Sequence, residues 1–373
     1  MDKVFRDALR TQSRIKNEKK RKRNFNEQKI IIMKVLRQNS GIDMSKDKFD
    51  ASFTSIDEEQ NVFQKKTKIF KNNQAGFEDY HKWCETHQSD NIPMHFTMEA
   101  TGVYYEPLAY FLIEKGEHVS VLLPNTVKKF GESLNKKSKT DSIDAKIIGQ
   151  MGVERKLPEW SVTTPIYRDM KTLTRERQNL VEMRTMLKNQ YHAETYTAHP
   201  HGQTLTRLKN HIKYIDKQIL SIEKELENRV KKEKEISERI NKITTVPGIG
   251  FLTVATVVSE TQGFANFTSI RQLTSFSGYD IQLKESGKFK GKTRISKKGN
   301  SHIRRAMYMP SIAVRNNTKT YSEFYNKLNE RKQNGLITGT AVQRKLLGLI
   351  YMLWKNDTEY IDDYLANKSK SGI

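Results

Sequence analysis

From Leu208 onward, aliphatic side chains return at steps of four and three: Leu208, Ile212, Ile215, Ile219, Ile222 and Leu226, then Ile236, Ile240 and Ile243. An apolar period of about 3.5 residues with charged flanks fits a helix that buries one narrow seam against another helix. The upstream stretch around Met170, Leu173, Leu180 and Leu187 is one candidate partner, if the chain folds back at Ala198–Gln203. A second subunit is another, and periodicity alone serves both. Two slots of the seam hold Arg229 and Glu233. At i, i+4 these two can pair, but burying the pair costs desolvation that a dry seam repays poorly. A break or an exposed stretch is therefore expected there.

Upstream, the pattern is α/β. Gly41–Thr54 and Asn61–Phe70 read as neighbouring strands. "AGFEDYHKWCETH" reads as a helix and "MHFTMEA" (Met94–Ala100) as a short strand entering a turn. "VYYEPLAYFLIEKG" reads as a helix closed by Gly116, and "HVSVLLP" (His118–Pro124) as a buried strand. Strand pairs followed by strand–helix–strand imply a mixed sheet covered by helices. "KLPEWSVTTP" (Lys156–Pro165) is a linker. Downstream of the heptads, "VPGIG" inside Thr244–Glu260 is a turn between helical segments. It reads equally as a helix-hairpin-helix that grips phosphate or as a tight αα turn. Two more helices follow Asn316–Lys319, separated by Asn334–Gly339. The expected organisation is a basic extension over 1–35, an α/β domain over 36–158, a coiled-coil hairpin over 164–240 and a mainly helical domain over 241–373.

Charge decides what such a chain meets. The 373 residues carry 66 Lys+Arg against 43 Asp+Glu, a net charge of +23. That excess favours a polyanion, because basic groups release the counterions condensed on phosphates. No apolar run reaches the roughly 18 residues a membrane span needs, and no secretory n-region and h-region open the sequence. Nucleic acid therefore leads over a membrane surface. A lone cysteine, Cys84, forms no internal disulfide, and no Cys/His cluster has zinc spacing. An intracellular, cytoplasmic setting is expected. The block Lys19–Arg23 lies in a stretch without apolar periodicity, read either as a solvated tail or as a nucleic-acid-binding arm.

Against this positive background four acids stand out. Asp43 sits in the first strand and Glu99 ends the strand "MHFTME". Asp141 and Asp144, in "SKTDSIDAK", share one face of a helix starting near Thr140. Acids in a first turn also suit the helix dipole, which explains Asp141 by itself but Asp144 less well. Carboxylates brought together repel unless cations intervene, and Mg2+ takes hard oxygen ligands while retaining substrate phosphates. Lys136, Lys137, Lys139 and Lys146 flank the pair, as a metal site on a DNA-binding face requires. A second basic run contains Lys284, Lys288, Lys290, Lys292, Arg294, Lys297, Lys298, Arg304 and Arg305, interrupted by Glu285. Phe276, Tyr279, Phe289 and Tyr308 interleave with it as base-stacking or core aromatics, with Phe276 at least expected in the core.

The stretches "GID", "MEATGVYYEPLA" and "KTDSIDAKIIG", then "VPGIGFLTVATVVSE", "LTSFSGYDIQLKESGKFKG" and "RISKKGNSHIRRAMYMPSIAV", resemble the IS-one-ten family of DEDD transposases. That family is Piv invertase-like and includes bridge-RNA-guided serine recombinases. The resemblance runs in order from Gly41 to Val314. It implies a RuvC-like (RNase H-type) catalytic domain with Asp43, Glu99, Asp141 and Asp144 as ligands of two Mg2+ ions, and Ser286 as a nucleophile in the second domain. It implies donor and target DNA as substrates, a structured guide RNA, dimers assembling to a tetramer, and a prokaryotic, nucleoid-associated protein. Some forty residues precede Asp43, where the family has few. Two other readings stay open: a RuvC-like metal nuclease such as a junction resolvase, and a non-catalytic nucleic-acid scaffold.

Overall fold

A computed structural model of the chain describes residues 34–135, 140–283, 285–287, 289–291 and 294–361. Residues 1–33 of the basic extension, including Lys19–Arg23, and Lys136, Lys137, Lys139, Lys284, Lys288 and Lys292 lie outside the described residues. The chain divides into two compact units, with the boundary between Val162 and Thr163.

The first unit is a mixed sheet with helices on both faces. Strands β1 (Val35–Met44), β2 (Lys48–Asp57), β3 (Val62–Gln64), β5 (Met94–Glu99) and β6 (His118–Leu122) lie in the order β3-β2-β1-β5-β6, and β4 (Lys68–Lys71) also pairs with β2. The β1–β2 hairpin is antiparallel, whereas β1, β5 and β6 run parallel. This combination is consistent with a RuvC-like fold. Helices α1 (Gln74–Glu85), α2 (Glu106–Glu114), α3 (Pro124–Ser133) and α4 (Asp141–Glu154) complete the unit.

The two sheet faces differ in chemistry because side chains alternate along each strand. One face presents Ile42, Met44, Phe49, Phe53, Phe96 and Met98, packed with Phe77, Tyr80 and Leu112 in one buried cluster. The opposite face is small and polar: Asn39, Gly41 and Asp43 on β1, Asp50, Ser52 and Thr54 on β2, Thr97 and Glu99 on β5. Helix α4 lies on this face, against β1, β2 and β5. It comes so close that a Cβ on Gly41 would stand 2.0 Å from the Gly149 backbone nitrogen. Asn39 binds the layers together, accepting from Thr97 Oγ1 at 2.8 Å and donating to the Gly149 carbonyl at 3.3 Å.

The second unit is helical. Helices α5 (Pro165–Thr195) and α6 (Gly202–Lys232) form an antiparallel hairpin. Its direction follows from the ion pairs Asp169–Arg229, Arg177–Glu223 and Arg184–Asp216, whose numbers fall on one helix as they rise on the other. Ile215, Ile219, Ile222, Leu226 and Val230 are buried along α6. The upstream helix is thus the seam's intrachain partner. Helices α7 (Lys234–Thr244), α8 (Phe251–Glu260), α9 (Ile270–Phe276), α10 (Ser301–Ala306), α11 (Tyr308–Asn317), α12 (Lys319–Lys332) and α13 (Gly335–Asn356) follow. Met170, Leu226 and Val230 share one core with Val254, Phe264, Leu346 and Trp354. No helix among the described residues is long and apolar enough to cross a membrane.

Several expectations need correction. The run Gly41–Thr54 is not one strand but the end of β1, a turn and most of β2. Residues after Pro124 form α3, whose start a proline at N1 favours. The helix breaks at Glu233, as its charged seam slots suggested, but Arg229 pairs with Asp169 and Glu225 instead of Glu233. Asn334–Gly339 is no extended break: Asn334 caps α13, accepting from the Leu336 and Ile337 N–H groups. Neither reading of the VPGIG turn is overturned: Gly248 has φ +92°, and a Cβ there would stand 2.7 Å from Ala313 Cβ.

Candidate active site

Local folding rules bring the four acids to one edge of the first unit. Ile42 and Met98 are parallel partners on the apolar face, so Asp43 and Glu99, one residue further along each strand, both project to the polar face. Helix α4 runs antiparallel to β1, because Gly152 meets Asn39 while Gly149 and Ala145 meet Gly41. Its first turn therefore reaches the end of β1 where Asp43 lies. Thr140 caps that turn, its hydroxyl accepting from the Ile143 N–H at 3.2 Å. The first turn carries Asp141 and Asp144 into the positive end of the helix dipole.

The electrostatic outcome appears on Asp43. Burial, and then the negative charges of Asp144, Asp141, Glu99 and Asp50, push its carboxyl from the ordinary 3.8 up to about 7. Glu99 accepts a hydrogen bond from Thr101 Oγ1 at 3.2 Å. Asp141 is exposed, whereas Asp43, Glu99 and Asp144 are half-buried. The four acids thus share one field, yet no group of three or more His, Cys, Asp or Glu among the described residues forms a ready-made metal cage. The donors are nevertheless all carboxylate oxygens, and a divalent cation would offset both the burial and the repulsion that raise Asp43. The chemistry fits a hard ion such as Mg2+. Lys146 is half-buried on α4, its carbonyl accepting from Gln64 Nε2 at 2.8 Å. Cys84 is a core residue whose thiol burial pushes up to about 12.

Sequence reasoning missed Asp50. It is the antiparallel register partner of Asp43, on the same face, and it is buried. The alternation Lys48-x-Asp50-x-Ser52-x-Thr54 carried the signal once the turn at Ser45–Asp47 is recognised.

In the second unit, the described residues between Ile281 and Ile295 include two nested ladders. An outer ladder joins β7 (Ile281–Gln282) to β10 (Arg294–Ile295), and an inner one joins β8 (Glu285–Ser286) to β9 (Phe289–Lys290). Ser286 is exposed immediately before a turn whose Gly287 has φ +55°. The base of this hairpin is pinned. Ser296 Oγ donates to Asp280 at 2.5 Å and the Asn300 N–H donates to the Phe276 carbonyl at 2.7 Å. Asn300 Nδ2 also donates to Glu260, a buried carboxylate that Arg175 holds in a two-pronged pair at 2.6 and 2.9 Å.

The basic residues of this region divide by environment. Arg294, Lys297 and Lys298 are exposed. Arg304 donates to the Ser277 and Gly299 carbonyls, and Arg305 is ion-paired with Glu182. Lys290 lies on β9. Among the aromatics, the expectation for Phe276 is reversed: it is 40% exposed, and Tyr308 is 52% exposed. Tyr279 is instead the core residue, buried with its hydroxyl donating to Gln343 Oε1 at 2.9 Å.

Two family models match the chain one after the other, the first running past the unit boundary through helix α5. A transposase family model of the DEDD, IS110 type matches residues 40–198, and the model described as Transposase IS116/IS110/IS902 family matches residues 240–326. The pilin gene-inverting proteins of Moraxella bovis and Moraxella lacunata are each 24% identical over 322 residues, covering 86% of this chain and 96% of theirs. A transposase for insertion sequence element IS1328 from Yersinia enterocolitica is 27% identical over 227 residues, 54% of this chain and 65% of its own.

Proposed function

The chain belongs to the IS110 family of transposases, and from that premise we propose a divalent-metal-dependent DNA recombinase that cuts and rejoins strands through a serine–phosphate link, at sites chosen by a structured RNA. The carboxyl of Asp43, raised first by burial and then by the negative charges of Asp144, Asp141, Glu99 and Asp50 gathered at one edge, carries the metal-binding part of the proposal. A protein gains nothing in stability from such crowding, and the charge is useful when a cation neutralises it.

Asp43, Glu99, Asp141 and Asp144 would hold the ions, with Mg2+ the fitting choice. When bound, such ions polarise a phosphodiester and neutralise charge that develops on its oxygens. The remaining work falls to this chain's own groups. Ser286 Oγ forms a bond to phosphorus as the phosphorus bond to one strand oxygen breaks. The serine proton departs to a base and the released strand end takes up a proton. The phosphoserine bond keeps the phosphodiester's energy, so a new strand hydroxyl can displace the serine. Exposed Arg294, Lys297 and Lys298 beside the hairpin supply phosphate contacts, as do Lys284, Lys288, Lys290 and Lys292 in this reading. Assembly of dimers into a tetramer would bring two DNAs together.

Trapping the reaction in denaturant tests the mechanism. Protein covalently attached to DNA is expected for the native chain and absent for Ser286→Ala. Attachment that persists in Ser286→Ala removes the serine assignment, and free nicked DNA without any adduct identifies a metal nuclease instead. RNA co-purifying with the protein, with loops complementary to donor and target, is the expected guide; its absence removes that part of the reading.

A further inference from the structure

Asp50 lies outside the set of acids that the family resemblance assigns, and its position asks for an explanation. In the antiparallel hairpin it is the register partner of Asp43. Directly paired residues of such a ladder put their Cβ atoms about 4.5–5.5 Å apart on one face, and like charges placed so are destabilising. Asp50 is 5% exposed. Among the described residues its carboxylate has no hydrogen-bond or ion-pair partner, and the opposing charge that acts on it is Lys48, two residues earlier. Asp141, at the start of α4, acts on it as well. The next residues on its face of β2, Ser52 and Thr54, are neutral, fully buried side chains whose hydroxyls find no hydrogen-bond partner among the described residues. A charged one here, without a partner and opposite another acid, is unfavourable for the protein alone.

We infer that Asp50 is a fifth carboxylate of the divalent-cation site, contributing negative oxygen to a hard ion held beside Asp43. This rests on the reading that the acids at this edge hold such an ion. It makes β1 and β2 joint contributors, so that the hairpin itself presents two acids to the cation.

The test measures Mn2+ binding to the full-length protein at constant pH, by calorimetry and by the electron paramagnetic resonance of free Mn2+. Asp50→Asn and Asp50→Ser are compared with the native chain, and Asp43→Asn serves as reference. The expected result is affinity at least about tenfold weaker in both Asp50 variants, with unfolding midpoints in EDTA no lower than native. Native affinity in Asp50→Asn together with weakened binding in Asp43→Asn overturns the role of Asp50 and leaves the metal site standing. Native affinity in both overturns the site as well. Weakened binding accompanied by lost stability in EDTA in both Asp50 variants marks a structural role and overturns the inference.

Discussion

Replacing Asp43 with Asn should make the metal-free protein more stable. The carboxyl of Asp43 is raised from 3.8 to about 7. A raised folded value means that the group favours the folded state fully below about pH 4 and loses that advantage as pH climbs through about 7. Above that point the native protein holds an ionised Asp43 among like charges. A gap of about three pH units at about 1.4 kcal/mol each sets a ceiling near 4 kcal/mol. Asp43 is only half-buried, and solvent screening reduces the expected gain to about 2 kcal/mol at pH 8. Asparagine keeps the shape and removes the charge, so its advantage should shrink toward zero near pH 4.

Urea unfolding in EDTA between pH 5 and pH 8 measures this directly. Trp83 lies against the core of the first unit and Trp354 in that of the second, so a Trp354→Phe background confines the fluorescence signal to the first unit, where Trp160 also lies. Excess Mg2+ should close the gap by stabilising the native protein alone, in proportion to the logarithm of its concentration over Kd. If Asp43→Asn is no more stable than native at pH 8 in EDTA, or if its advantage fails to shrink on acidification, the ionised Asp43 is not penalised by burial and by the neighbouring acids.

Gly41→Ala puts a methyl 2.0 Å from the Gly149 nitrogen, backbone against backbone; destabilisation of about 3 kcal/mol or more and loss of strand cleavage are expected, read by the same unfolding assay and by nicking of supercoiled DNA. Glu260→Gln leaves the Arg175 guanidinium without its buried carboxylate, which should cost about 3 kcal/mol in the second unit, followed through Trp354. Affinity for DNA or RNA, measured by fluorescence anisotropy, should fall steeply and linearly on logarithmic axes between 50 and 200 mM salt; a flat response contradicts counterion release as the source of binding.

The sequence exposes features that depend on periodicity and leaves hidden those that depend on register. Both long helices, the sheet strands around Asp43 and Glu99, and the Thr140 cap follow from apolar spacing and capping chemistry. The break at Glu233 follows from two charges in apolar slots. Asp50 was hidden because Gly41–Thr54 reads as continuous strand until the turn at Ser45–Asp47 divides it. Once divided, the hairpin places Asp50 opposite Asp43. The ladders around Ser286 were hidden for another reason: strands of two residues are too short to show alternation. The role of Phe276 was misjudged because it and Tyr279 are both aromatic and neighbouring, and only tertiary packing tells which one faces Gln343.

The contact between Gly41 and Gly149 has one more implication. Where two main chains touch without side chains between them, no compressible layer exists to absorb a shift of helix against sheet. The separation between the hairpin acids and those of Asp141 and Asp144 is therefore a property of the scaffold. An attempt to retune which cation this edge prefers has to change reach, as aspartate to glutamate does, since the distance itself is not available for adjustment.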